Sequence, residues 1–145
     1  HVIRAMPELE EFDLLVAGSG PYRDELEEIA AAEGVADRVE FLGYVDDDRL
    51  PGLYAGADVY VTLSEFEAYG MTVAEALATG TPCVVRESGA LVDWVDYVGC
   101  VGVSSTDPGP VSDTVRTALD AAPDSSTLAT WGDVADRVGT KYNSV

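Results

Sequence analysis

Short apolar segments alternate with helical patterns along this chain, and that alternation constrains the fold more than any other feature of the sequence. The apolar segments are rich in β-branched residues and nearly continuous, as strands buried on both faces of a sheet must be. A helix between successive strands is the usual crossover of a parallel sheet. The pattern therefore predicts an α/β fold with a doubly wound parallel sheet, whose strands occupy residues 12–17, 38–42, 58–63, 81–85 and 100–103.

The helical patterns lie between or after these strands. We expect helices at residues 21–33, 46–55, 72–79, 90–97, 110–121 and 131–142, the last of them closing the domain. The first nine residues match the end of a further crossover helix. Because 145 residues fit one domain and hardly two, we expect a single domain over residues 1–145.

The net charge is the strongest signal in the composition. Eight Lys and Arg stand against 27 Asp and Glu, which gives a formal net charge of −19. Such a chain lacks the basic surface that nucleic acids and anionic membranes require. No apolar run approaches the ~20 residues of a transmembrane helix. The acids are dispersed, which suits a surface screened by molar salt, as in a halophile cytoplasm; an ordinary acidic surface is the alternative.

Few side chains could form a nucleophilic or metal centre. His1 is the only histidine, which excludes a Ser-His-Asp, Cys-His or His-bearing zinc site within this chain. Cys83 and Cys100 form no CxxC pattern, and we expect Cys83 to be a reduced, buried thiol. In the acidic triplet at 46–48, Asp46 is expected to cap a helix rather than to bind a metal. We therefore expect no metal site.

The loops beyond the carboxyl ends of the strands are the candidate site, because ligands bind there in such a sheet. Gly18 and Gly20 follow the first strand and permit a tight turn against a ligand. This signal is weak by itself, since a dinucleotide fingerprint would need a third glycine near Arg23. A plain strand-to-helix turn, with Pro21 in the first helical position, is the alternative.

The loop after the third strand carries the most chemical information. It ends at Gly70, and a helix is expected to begin near Thr72, where free N–H groups and the helix dipole can hold a phosphate. Glu75 lies one turn into this helix, where it can accept hydrogen bonds from a diol such as a ribose. Glu67 lies eight residues earlier, in the loop. The alternative is that both carboxylates are solvated and that Glu75 only complements the positive end of the helix.

Residues 64–71 and 75–82, which read SEFEAYGM and EALATGTP, resemble the Glu-x7-Glu motif of GT-B glycosyltransferases, especially the retaining enzymes of family 4. Ala68 and Tyr69 stand where that motif usually has Gly and Phe. Three further segments resemble the same family in their order along the chain: LLVAGSGP at 14–21, VEFLGYV at 39–45 and LYAGADV at 53–59. Four ordered motifs over about residues 1–103 make the resemblance specific.

The resemblance implies a Rossmann-like, donor-binding C-terminal domain of the GT-B type, with a role for each matching residue. Glu75 would hold the ribose hydroxyls of a nucleotide-sugar donor. Glu67 would act in catalysis, in contact with hydroxyls of the transferred sugar. The backbone at Gly70, Met71 and Thr72 would meet the diphosphate.

The same resemblance implies the rest of the donor site and the reaction. Tyr44 and Val45 would line the base pocket with Arg49 nearby, and the turn of Gly18 and Gly20 would also face the donor. The sugar would pass, with retention of configuration, to a sugar, lipid or protein acceptor. The family needs neither a metal nor another cofactor.

Two parts of the family pattern are missing from this sequence: the loop whose Arg and Lys clamp the diphosphate, and the acceptor-binding N-terminal domain. We therefore expect a partial donor-binding half without turnover of its own. The intact protein would be cytoplasmic, or peripheral at the inner membrane through the missing domain. Other interpretations stay open: a non-catalytic nucleotide-binding or partner-binding subunit, or another GT-B enzyme such as a nucleotide-sugar epimerase.

The absence of the family's first strand also predicts how the remaining strands pair. In the strand order 3-2-1-4-5-6 the first strand is central, and the family's first strand is the one that this sequence lacks. We therefore expect residues 12–17 and 58–63 to flank its position instead of pairing with each other.

The acidic composition predicts that folding depends on salt. Self-repulsion among 27 acids opposed by eight bases destabilises the compact state in dilute buffer. The Debye length falls from ~10 Å at 0.1 M to ~3 Å at 1 M, which screens that repulsion. Calorimetric melts across this range of KCl should therefore show a steep rise of Tm. A flat Tm would mean that the acids are ordinary surface residues.

Overall fold

The computed structural model describes residues 1–124 together with Ser126 and Leu128. Within that part the strands are β1 (Leu14–Ala17), β2 (Val39–Gly43), β3 (Tyr60–Thr62), β4 (Cys83–Arg86) and β5 (Cys100–Val103). Every strand pair is parallel, which confirms the predicted α/β class. The closing helix predicted at 131–142 lies outside the described residues.

The helices differ from the predicted ones mainly at their ends. They are α1 (Val2–Ala5), α2 (Arg23–Ala32), α3 (Leu50–Gly56), α4 (Met71–Ala78) and α5 (Pro108–Leu119), with 3-10 turns at Met6–Glu8 and Ala36–Arg38. The helix predicted at 90–97 is instead a 3-10 helix, Gly89–Trp94. Its bonds run from residue i+3 to residue i, as from Val95 N–H to Val92 O at 3.2 Å. The apolar spacing alone did not distinguish this 3-10 helix from an α-helix.

The strands form two separate sheets, and the break lies between β1 and β3. One part pairs β1 with β2, in a register that joins Leu14 to Val39, and the other has the order β3-β4-β5. In the described part of the chain no ladder joins β1 to β3, as the sequence predicted. In the described structure β1 and β3 are therefore not paired with each other by backbone hydrogen bonds.

Two apolar clusters pack against the strands, and β3, β4 and β5 contribute to both of them. Strands β1 and β2 contribute only to the first cluster, and Leu15 on the other face of β1 is 50% exposed, so the expectation that every strand is buried on both faces is wrong for β1. The first cluster packs α1, α2 and α5 against the sheet, and the second packs α3, α4 and the 3-10 helix against it. Strand β4 shows the division, because Val84 belongs to the first cluster while Cys83 and Val85 belong to the second. Burial on both faces explains why this strand reads as a continuous apolar run. No helix among the described residues has the length and apolarity to cross a membrane.

The two cysteines are buried and free, which confirms the expectation for Cys83. Burial raises the pKa of the Cys83 thiol well above its usual value, and it raises the pKa of Cys100 to about 12. Both thiols therefore remain neutral packing groups instead of nucleophiles.

Arg38 fastens the segment before β1 to the start of β2. Its Nη1 donates hydrogen bonds to the carbonyl oxygens of Leu9 at 2.8 Å and Phe12 at 3.0 Å. Its Nη2 donates to the carbonyl oxygen of Met6 at 2.9 Å. The guanidinium thereby satisfies three backbone acceptors where the chain enters β1.

Replacing Arg38 by methionine should lower the free energy of unfolding by about 2–4 kcal/mol, because hydrogen bonds to charged donors contribute ~1.5–3 kcal/mol each and do not add fully. Arg4→Met is the matched control, since Arg4 makes only an exposed contact with Glu33 at 3.9 Å. It should cost less than ~1 kcal/mol. Urea unfolding of both variants measures the difference, and equal losses would show that the three contacts contribute little.

Candidate functional site

The candidate site lies at the edge where the parallel strands end. A hydrogen bond of 2.7 Å from Gly18 N–H to Gly43 O joins the ends of β1 and β2 there. Gly20 follows in the turn that leads to α2, which begins at Arg23 and not at Pro21 as the alternative interpretation had it. The described structure thus holds the glycine turn beside the end of β2.

At the start of α4 the first N–H groups have no acceptor among the described residues. Gly70 is its N-cap, and the Gly70 carbonyl accepts from Val73 N–H at 3.0 Å and Ala74 N–H at 3.2 Å. The N–H groups of Met71 and Thr72 precede these first helical donors, and both residues are exposed. A helix start of this kind binds anions through its N–H groups and its dipole.

Only glycine fits at position 70. Its φ of +88° lies in the left-handed region, which side chains with a Cβ adopt at a cost. A Cβ there would also lie 2.8 Å from Trp94 Nε1 and 3.2 Å from Leu91 Cδ2. The turn into α4 is therefore specified by conformation and by packing together.

Glu75 is exposed on α4 and is held by Tyr54. The Tyr54 hydroxyl donates to Glu75 Oε2 at 3.1 Å. Burial of Tyr54, and then its hydrogen bond to Glu75, raises the tyrosine pKa far above its ordinary value. Tyr54 therefore remains a donor, and among the described residues it engages one of the two carboxylate oxygens of Glu75.

Glu67 lies half-buried in the loop between β3 and α4. Its Oε1 accepts from the N–H of Ala68 at 3.2 Å. Burial raises the pKa of Tyr60, hydrogen bonds with Thr72 and Thr62 oppose that rise, and charges at Cys83 and then Glu67 add to it. The Tyr60 ring in turn meets the Tyr54 ring edge-on, with 5.5 Å between centroids. Tyr60 thus lies within electrostatic reach of Glu67 and against the tyrosine that holds Glu75.

The predicted base-pocket residues have different environments. A cavity of about 510 Å³ is lined by Tyr44, Arg49 and the acidic triplet Asp46, Asp47 and Asp48. Tyr44 is 74% exposed, whereas Val45 is 9% exposed and lies outside that lining. Val45 therefore contributes packing beneath the loop and not wall area in this cavity.

The prediction that Asp46 caps a helix is wrong. Helix α3 begins at Leu50, its N-cap is Arg49, and no side chain caps it. The Asp46 backbone carbonyl instead accepts from Arg49 N–H at 2.9 Å, in a turn before the helix. Pro51 explains the later start, because proline is favoured in the first helical turn and lacks the N–H needed further along. Among the described residues, no group of His, Cys, Asp and Glu side chains is arranged to bind a metal ion.

Sequence reasoning did not single out Tyr54, Tyr60 or Trp94 as parts of the site. Tyr54 falls on the inward face of its helix, and its hydroxyl needs a partner once buried. The need of the buried Tyr54 hydroxyl for a hydrogen-bond partner was the sequence signal that could have identified this residue. Trp94 lies in the segment taken for an ordinary helix, where nothing in the spacing indicated contact with Gly70.

Parallel strands with helices on both faces define a Rossmann-like α/β domain. A sucrose-phosphate synthase from Thermosynechococcus elongatus shares this fold, with a TM-score of 0.83 and 24% identity over 99% of this chain and 41% of that one. The family model for group 1 glycosyl transferases matches residues 1–121, and the chain belongs to that family.

Curated relatives agree with the family. An uncharacterized glycosyltransferase of Methanocaldococcus jannaschii is 43% identical over 67% of this chain and 26% of its own length. A 2-deoxystreptamine glucosyltransferase of Streptomyces kanamyceticus is 33% identical over 81% of this chain and 31% of its own length. The chain thus spans less than a third of the length of these relatives.

Gly70→Ala should destabilise the domain more than Gly80→Ala, its matched control at the other end of α4. Gly80 has nearly the same φ, +87°, but nothing lies within 4 Å of a Cβ there. In both variants the left-handed φ lowers the free energy of unfolding by about 1 kcal/mol. In Gly70→Ala, overpacking against Trp94 and Leu91 lowers it by a further ~1–3 kcal/mol. Chemical unfolding measures both, and equal losses would argue against the steric role of Trp94 and Leu91.

Proposed function

We propose that the intact protein transfers a sugar from a nucleotide-sugar donor to an acceptor with retention of configuration, and that this chain supplies most of the donor-binding half. The observation that carries the proposal is the start of α4, where two free N–H groups lie one turn from a carboxylate held by Tyr54. Family membership supports sugar transfer as the chemistry.

The donor diphosphate would bind at the N–H groups of Met71 and Thr72. An anion there meets the positive end of the α4 dipole, and Gly70 adds no side chain to obstruct it. The same contacts would favour departure of the nucleoside diphosphate, because charge accumulates on its oxygens as the glycosidic bond breaks. Neither a metal nor another cofactor has a part in this proposal.

The two carboxylates would recognise hydroxyl groups on either side of the diphosphate. Glu75, with one oxygen engaged by Tyr54, would accept hydrogen bonds from the ribose. Glu67, in the loop before the helix, would contact the transferred sugar and act as the catalytic carboxylate through an oxocarbenium-like transition state. Buried or clustered carboxylates repel each other, and a hydroxyl-rich ligand between them would relieve that repulsion.

The base would lie in the cavity beside β2. Tyr44 offers an exposed ring for stacking and Arg49 offers a cation at the cavity wall, while Val45 is buried and lines no part of it. Gly18 and Gly20 would let the donor approach the backbone at the end of β1. A structural neighbour from Anabaena was solved in complex with UDP-glucose, so UDP-glucose is the first donor to test.

In the intact polypeptide, Glu75→Gln should raise the KM for UDP-glucose at least ~10-fold, since a charged hydrogen bond contributes ~1.5–3 kcal/mol. Glu67→Gln should instead lower kcat by a similar factor. Release of UDP from a panel of UDP-sugars measures both effects.

The control variant is Glu65→Gln, the same change two residues from Glu67. Glu65 makes one exposed contact with Arg86 at 3.8 Å, so both constants should stay within ~2-fold of the parent. Identical behaviour of all three variants would contradict the proposed roles. Tight UDP-glucose binding without UDP release would favour a non-catalytic subunit.

A further inference from the structure

We infer that Trp94 is a positioning residue for the donor diphosphate, because its indole fixes the peptide unit from which α4 starts. The inference rests on the proposed function, since it concerns how the N–H groups at the start of α4 are aimed. Trp94 itself would touch no part of the donor.

The first observation is a hydrogen bond from the indole to the loop. Trp94 Nε1–H donates to the carbonyl oxygen of Tyr69 at 2.6 Å. Trp94 is only 5% exposed, so this donor would otherwise be buried without a partner. The bond joins the end of the 3-10 helix to the residue just before the N-cap of α4.

The direction of that carbonyl sets the direction of the next N–H group. The carbonyl of Tyr69 and the N–H of Gly70 belong to one planar trans peptide unit, in which they point in opposite directions. With the carbonyl drawn toward Trp94, Gly70 N–H points away from the indole. The bond therefore orients the first of the successive N–H groups, Gly70, Met71 and Thr72, that a diphosphate would meet.

The second observation is the close approach of the indole to Gly70. A Cβ at position 70 would lie 2.8 Å from Nε1 and 3.3 Å from Cδ1 of Trp94. The indole thus fills the space beneath the turn and restricts the left-handed conformation of Gly70 from below.

The third observation is that packing on the outer side of the loop is incomplete. A cavity of about 240 Å³ separates Ala68 and Tyr69 from the 3-10 helix and is lined also by Ala90, Asp93, Trp94 and Tyr97. Tyr69 is 57% exposed and meets Trp94 edge-on at 5.6 Å between centroids. Because side-chain packing leaves this gap, the indole hydrogen bond is the specific anchor of the peptide.

Trp94→Phe tests the anchor, because phenylalanine keeps an aromatic ring and removes the donor. We expect UDP, titrated into the ¹⁵N-labelled chain, to bind the variant about tenfold more weakly than the parent. Amide exchange at Gly70, Met71 and Thr72 should also become faster. Unchanged UDP affinity together with unchanged exchange at these three amides would overturn the inference.

Cys100→Ala is the matched control, because Cys100 belongs to the same apolar cluster as Trp94. It should lower Tm as a core truncation does, while UDP affinity stays within ~2-fold of the parent. Equal weakening of UDP binding in both variants would reduce Trp94 to general packing and would also overturn the inference.

A measurement on the unmutated site covers the case in which Trp94→Phe does not fold. In a Trp131→Phe background Trp94 gives the only indole signal of the chain. Its N–H should be protected from exchange and should shift on addition of UDP together with Gly70, Met71 and Thr72. An indole that exchanges freely and ignores UDP overturns the inference even where those amides respond. If UDP leaves those amides unchanged as well, the proposed donor site itself is wrong.

Discussion

The left-handed turn at Gly70 is the constraint on which the candidate site depends. It reverses the chain between β3 and α4, and its φ of +88° together with the nearby Trp94 and Leu91 side chains admits only glycine. Where this turn is placed decides which N–H groups precede the first helical donor at Val73. It also decides which residue of α4 lies one turn farther on, namely Glu75, against Tyr54. One backbone conformation therefore positions both groups of the proposed site, the N–H groups at the start of α4 and the Glu75 carboxylate.

The turn at Gly70 lies at the edge of the sheet where the strands end. Parallel strands end at one edge, and the burial of β4 between two apolar clusters keeps that edge fixed relative to α3 and α4. The contact between Gly18 and Gly43 joins the loops after β1 and β2. Residues from both half-sheets belong to the first cluster, including Leu14 of β1 and Val61 of β3. Side-chain packing thus connects the half-sheets although no ladder joins β1 to β3 in the described part of the chain.

The sequence predicted local structure correctly where a residue type serves a single structural purpose. Apolar runs predicted all five strands, although only β3, β4 and β5 contribute side chains to both apolar clusters. Gly70 marked the helix start because of its backbone freedom. The sequence was less informative where bonding depends on residues distant along the chain, as between Tyr54 and Glu75 or between Trp94 and Tyr69. The cap assigned to Asp46 failed for a local reason, since Pro51 moved the helix start to Leu50.

The proposed donor is anionic, and the net charge of −19 on the chain repels it. Arginines elsewhere in the described residues are engaged: Arg38 by carbonyls, and Arg4, Arg23, Arg86 and Arg116 by acids. Arg49, at the wall of the larger cavity, has no such partner in the same part of the chain. Neutral N–H groups at a helix start suit these conditions, because they attract phosphate without a cation that nearby acids would pair with. Salt screens repulsion across a Debye length and leaves hydrogen bonds at contact distance comparatively intact. The proposed site, which is built on backbone N–H groups, is therefore better matched to so acidic a surface than one built on surface cations.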